Sequence, residues 1–217
     1  MSAAKLVVCT MLCLLFCASA QAQSLTVYSR SASGLDSVTQ NSLNQELARL
    51  LTPAGIHLAW RNEGQETREE EGRLIVGSFD GSCSTETLPM NSDSHERTTL
   101  AQTSISDGRI IPYFNVDCPR VIRTLAPTLQ HLSVPFRDAL LGRALARVIA
   151  HEIYHILAQT RDHEDSGLSK AQLSLADLTA DKFELSPDSL RRIRASIQTM
   201  PPVPVAGLVS PSKTPRR

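Results

Sequence analysis

The sequence predicts an α+β domain in which a small mixed sheet packs on one buried helix, with further helices toward the C-terminal end. Three observations predict it. A strand–helix–strand pattern runs over residues 25–60, a hairpin pattern centres on Asp107-Gly108, and residues 140–158 are apolar around most of a helical circumference. At 217 residues the length fits one ordinary domain with tails.

The first segment sets an expected compartment. Lys5 gives a small positive start, residues 6–16 form a short apolar run, and Ala20-Gln21-Ala22 is a small-residue cleavage pattern. Residues 1–22 therefore read as a secretory signal peptide, because the run falls short of the roughly 20 residues that a spanning helix needs. Phe16 before Cys17 is too large for a lipid-modification site. The expected mature chain starts near Gln23, is secreted or periplasmic, and keeps no stable membrane anchor. Of five cysteines, Cys9, Cys13 and Cys17 fall in that segment, which leaves Cys83 and Cys118 as one expected disulfide. Closing that loop would contribute about 3 to 4 kcal/mol on chain-entropy grounds.

Lys plus Arg equals Asp plus Glu at 22 each, and aromatics make up 4%. Neither a basic field nor a stacking surface is present, so no nucleic-acid partner is expected.

In order, Leu25-Thr26-Val27-Tyr28 is a strand and Ser33-Gly34 ends it. Residues 36–51 carry Val38, Leu43, Leu47, Leu50 and Leu51 on one helical stripe, stopped by Pro53 and Gly55. Ile56-His57-Leu58-Ala59-Trp60 alternates as a second strand, parallel to the first if the two are neighbours. The polar stretch 61–72 with Glu69-Glu70-Glu71 is a solvated loop, residues 74–79 form a buried strand, and 84–99 is a long loop in which His95 is inert. Residues 103–116 form the hairpin; Pro112 requires its return strand, 109–116, to sit at an edge or carry a bulge. Such an edge could receive an extended peptide. Cys118 would tie the hairpin's end to the strand ending near Phe79.

Ser133 and Pro135 start the buried helix, which contains His151-Glu152-Ile153-Tyr154-His155. Two imidazoles four residues apart share one helix face, with a carboxylate beside them. Composition makes this H-E-x-x-H pattern a chance event on the order of 0.01 per chain. Burying the trio costs several kcal/mol unless the groups are paired or bind a metal. A tetrahedral Zn2+ needs a third ligand and an open position. His163 is the first choice, reached by a polar turn over 159–162; Asp177, Asp181 and Glu184 are the alternatives. Tyr154 is a packing residue. Ser169-x-x-Gln172 and Ser174-x-x-Asp177 both have capping-box spacing, so one short helix begins there, and Ser186-Pro187-Asp188 starts a last helix through about Thr199. The domain then spans 23–200, followed by a Pro-rich tail, 201–217.

The run H-E-I-Y-H, seven residues, His163, three residues and Gly167-Leu168 resembles the zincin metallopeptidases. More narrowly it is similar to the metzincin-like branch and to small secreted bacterial proteins with this extended spacing. It departs from the standard metzincin pattern in a second-to-third histidine gap longer by two, in Ala158 where that pattern has glycine, and in the lack of a methionine soon after. The resemblance implies a zincin-like fold and a zinc peptidase acting on a peptide or protein substrate, with His151, His155 and His163 as ligands. Glu152, beside a ligand, would be the general base for water attacking a carbonyl. Tyr113 is the one residue proposed from sequence as an oxyanion partner. The alternative function is a secreted zinc-binding module with little activity; a third reading, an interaction domain without metal, makes the trio accidental.

Overall fold

The computed structural model describes residues 23–30, 35–62, 72–88 and 99–199. The expected signal peptide, the acidic run at 69–71, His95 and the tail 201–217 lie outside the described residues. Among the described residues no helix is long and apolar enough to cross a membrane.

The chain is a mixed α+β fold. Its elements are β1 (Gln23–Arg30), α1 (Ser37–Leu51), β2 (Ile56–Asn62), β3 (Arg73–Asp80), β4 (Ala101–Ser106), β5 (Arg109–Asp117), α2 (Cys118–Leu129), α3 (Val134–Ala158), α4 (Leu175–Thr179) and α5 (Pro187–Thr199). The five strands form one sheet in the order β2-β1-β3-β5-β4. β1 pairs in parallel with both β2 and β3, β3 pairs in parallel with β5, and only β4 is antiparallel. The predicted strand–helix–strand unit is therefore present, its two strands side by side.

Alternation along each strand decides which face is buried. Leu25, Val27, Ile75, Phe79, Phe114 and Val116 are nearly inaccessible and join one core with Leu43, Leu47, Leu141, Leu145 and Ile149 from the helices. α1 starts where Asp36 accepts the Val38 and Thr39 amides at 2.7 and 3.0 Å, an N-cap that satisfies two otherwise orphaned donors. It ends in a 3-10 turn over Thr52–Ala54, with Gly55 left-handed at φ 80°.

The hairpin refines the expectation for Pro112. β5 lies inside the sheet, between β3 and β4, so the edge predicted for residues 109–116 belongs to β4 instead. Pro112 is accommodated by the bulge. β4 pairs Thr103 with Phe114 and Ile105 with Ile110, so the single residue Ser104 faces three on β5. Pairing with β3 begins only at Tyr113, beyond the proline.

α2 goes beyond the sequence expectation. Asp117 caps it by accepting the Arg120 amide at 3.0 Å, Pro119 sits in the first turn, and Val121, Ile122, Leu125, Ala126 and Leu129 are buried. Pro127, near its end, forfeits a helical donor and masks this periodicity. The Cys83–Cys118 disulfide, with Cα atoms 5.0 Å apart, joins the chain just after β3 to the start of α2, as the cysteine count predicts.

α3 crosses α1 at Gly142. A Cβ there would lie 2.3 Å from the Thr39 carbonyl oxygen and 2.7 Å from Ser42 Cβ, so the two backbones meet at a distance that only glycine allows. Gly142→Ala should lower stability by about 2 kcal/mol through overpacking, read as a lower urea midpoint with an unchanged slope. An unchanged midpoint would mean that the helices separate without cost.

Candidate metal centre

α3 is buried along most of its length, and its polar residues Arg147, His151 and His155 recur at four-residue spacing on one face. Each is fastened to the chain that follows the helix. Arg147, fully buried, donates from Nη1 to the Asp177 carbonyl at 2.6 Å and from Nη2 to the Ala180 carbonyl at 2.7 Å. His151 Nδ1 lies 2.8 Å from the Leu168 carbonyl, and His155 Nδ1 lies 2.8 Å from the Thr160 carbonyl.

A carbonyl oxygen only accepts, so both Nδ1 atoms must carry the proton. Burial, together with repulsion from His155 and His163, pushes His151 down to about 4 against the raising effect of the Leu168 carbonyl; burial also pushes His155 below its ordinary value. Both rings are thus neutral near pH 7, and each turns an unprotonated Nε2 toward the other at 3.0 Å. Two lone pairs facing each other at that distance repel unless a cation or a shared proton lies between them. The donor set therefore fits a metal, and the carbonyls supply the outer hydrogen bonds that fix the tautomer of metal-ligating histidines.

His163 completes the group. The ligand nitrogens of His151, His155 and His163 lie within 4.8 Å of one another. Its ring is 5.3 Å from that of His151 and 4.8 Å from that of His155, centre to centre. The expected turn is present with its bend one residue later than the resemblance implies. Ala158 stays helical and Gln159 takes the left-handed conformation at φ 50°. Beyond it, the Glu164 amide donates to the Ser169 carbonyl at 2.9 Å, Gly167 turns at φ 74°, and Ser189 on α5 donates to Glu164 Oε1 at 2.7 Å. This exposed loop carries His163 back over the helix.

The carboxylate alternatives lie elsewhere. Asp177 closes the capping box of α4 with Ser174 and pairs with Lys170, Asp181 is exposed, and Glu184 is exposed near Arg49 at 3.8 Å. None joins the histidine group. Tyr154 is fully buried and packs near His155, as expected of a packing residue. Tyr113 does not serve the site. It alternates with buried Phe114, faces the opposite side of the sheet, and donates its hydroxyl to Ser78 Oγ at 2.7 Å.

Glu152 is 5% exposed, and Thr103 on β4 donates to its Oε2 at 2.6 Å. Burial raises its carboxyl to about 7, against the lowering effect of the Thr103 hydrogen bonds. Thr103 is a site residue that the sequence reading does not contain; only the register, which pairs it with Phe114 on the helix-facing side, reveals it.

Arg147 needs its own counter-charge. Its Nε donates to Glu46 Oε1 at 2.9 Å, and Arg49 binds the same carboxylate through Nε at 2.7 Å and Nη2 at 2.9 Å. Burial raises the Glu46 carboxyl, but the two guanidiniums outweigh it and hold the group below its ordinary value. This network fastens residues 177–180 beneath the site.

No protein-family model and no curated protein sequence matches the chain.

Because the folded Glu46 titrates below its unfolded value of 4.5, its contribution is present above that pH and fades as pH falls through the lower folded value. Glu46→Gln should cost about 3 kcal/mol at pH 7, since it leaves Arg147 buried without a counter-charge. The gap from wild type should narrow below about pH 4. Urea titrations of both proteins across pH 3 to 7 measure it, and a pH-independent gap would contradict the ion-pair account.

Proposed function

We propose that this chain is a secreted zinc peptidase of zincin type, with His151, His155 and His163 as metal ligands and Glu152 as general base. The observation that carries the reading is the pair of facing Nε2 atoms at 3.0 Å, each on a ring whose other nitrogen is committed to a carbonyl, with His163 beside them. Three neutral imidazoles suit zinc, and a fourth position stays open for water or substrate. The buried disulfide supports the oxidising compartment that the leader segment implies.

Bound zinc would supply Lewis acidity, acidifying water and polarising the scissile carbonyl. Glu152 takes the proton of the attacking water and passes it to the leaving amine. Thr103 holds one oxygen of the base and leaves the other for water. β4, one of the sheet's two outer strands, has an edge unpaired among the described residues beside that contact, and an extended peptide can add there as a further strand. A structural zinc site has no use for a buried carboxylate next to its ligands, which favours the peptidase over a binding module.

The test is zinc content and cleavage of a peptide library by the mature protein. Glu152→Gln should keep its zinc and lose about 10²- to 10⁴-fold in rate. His163→Ala should lose most of the metal. Thr103→Val should keep the metal and lower kcat by about tenfold with little change in KM, and Thr103→Ser should restore it. Cleavage surviving in Glu152→Gln would sink the mechanism, and full zinc in His163→Ala would sink the ligand set. A wild type that holds zinc but cleaves nothing would point to the binding module.

A further inference from the structure

A cleft of about 590 Å³ lies where α1, the end of α2, the first turns of α3 and α4 meet, toward the opposite end of α3 from the histidines. That volume falls within the range of small-ligand sites. Two of its features have no role in the fold. Phe136 lines it with 68% of its surface exposed, although an aromatic side chain gains most from burial. Arg143, half-buried in the wall, has no hydrogen bond or ion pair among the described residues.

Charge adds a direction. Arg49 and Arg147 share one buried carboxylate, Glu46, and take both its oxygens, which leaves Arg143 beside them without a bond to it. The exposed Glu184 reaches only Arg49, at 3.8 Å. Repulsion from Arg143 and Arg49 acts on Arg147 against the attraction of Glu46, so among the described residues three guanidiniums stand about one buried carboxylate. A guanidinium in this position is a ready fork for a carboxylate. Leu132, Leu140 and Phe136 give the cleft an apolar side, while Ser42, Gln45 and Thr128 give it hydrogen-bonding groups.

We infer that the cleft binds the C-terminal residue of a peptide, its carboxylate on Arg143 and an apolar terminal side chain against Phe136, Leu132 and Leu140. The polar side chains decide for a peptide over a free hydrocarbon acid. A peptide unit pairs with Ser42, Gln45 and Thr128, whereas an alkyl chain would desolvate them without return. Binding there does not require the metal or Glu152.

Calorimetry on the full mature chain tests this, with Glu152→Gln as the background in every arm so that no probe is hydrolysed. Three probes are compared: acetyl-Ala-Ala-Phe with a free carboxylate, the same peptide as its C-terminal amide, and decanoate. The free peptide should bind saturably at one site, with the amide and decanoate each at least about tenfold weaker. Adding Arg143→Gln should weaken the free peptide by about tenfold, and adding Phe136→Ser should weaken it as well. Arg143→Lys, which keeps the charge without the fork, should lie between wild type and Gln, and matched melting temperatures establish that the variants fold. Equal affinity of acid and amide, or affinity unchanged by Arg143→Gln, would overturn the assignment. Decanoate binding as tightly as the peptide would overturn the peptide assignment in favour of free acids.

Discussion

The structure depends on one arrangement, a polar stripe on a mostly buried helix whose members all donate to backbone carbonyls of later chain. Arg147, His151 and His155 are each a turn apart, and they hold the carbonyls of Asp177 and Ala180, of Leu168, and of Thr160 in turn. Residues 160–174 contain little regular structure, so their buried carbonyls need partners from outside, and the stripe provides them. The same bonds use up the Nδ1 proton of each histidine. What packs the chain down thereby also prepares two Nε2 lone pairs, and fold and site rest on a single set of contacts.

The helix carries two buried polar clusters of opposite character. Around Arg147 the buried guanidinium has its partner within the protein, since Glu46 takes both Arg147 and Arg49 and neither of its oxygens is idle. Around His151 it is not. Two acceptor nitrogens face each other, and among the described residues the Glu152 carboxyl has only the Thr103 hydroxyl, so burial leaves it titrating near 7. A cation placed among the imidazoles relieves both conditions, giving the lone pairs an acceptor and favouring the ionised form of Glu152. The first cluster uses every oxygen of its carboxylate within the protein, and the second leaves two imidazole lone pairs facing each other.

Much of this is legible in the sequence where the signal is local. Four-residue spacing puts His151 and His155 on one face, Asp107-Gly108 marks the hairpin, and the capping pattern at Ser174 marks α4. His163 is the first choice because a polar turn follows the helix, and the Cys83–Cys118 pair follows from counting the thiols outside the leader. What is not legible depends on contacts between distant segments. Nothing local inserts β3 between β1 and β5, which is what moves the edge from β5 to β4. Glu46 and Arg147 stand 101 residues apart and carry no mutual signal. α2 is the exception, for its cap and apolar stripe are written in the sequence and obscured only by Pro127.

Tyr113 and Thr103 show how strand parity separates a plausible site residue from an actual one. Both lie on the hairpin, and both carry a hydroxyl. Successive residues of a strand point to opposite faces, so Tyr113, next to buried Phe114, turns away from α3, while Thr103, paired with Phe114, turns toward it. The bulge at Pro112 shifts the pairing beyond Ile105–Ile110 by two residues, so counting out from Asp107-Gly108 sets Thr103 opposite Pro112 when its partner is Phe114. A residue chosen by chemistry alone had about an even chance of facing the helix. The register of two strands, more than the identity of either hydroxyl, brings a donor to Glu152, and it does so from a strand at the sheet's edge.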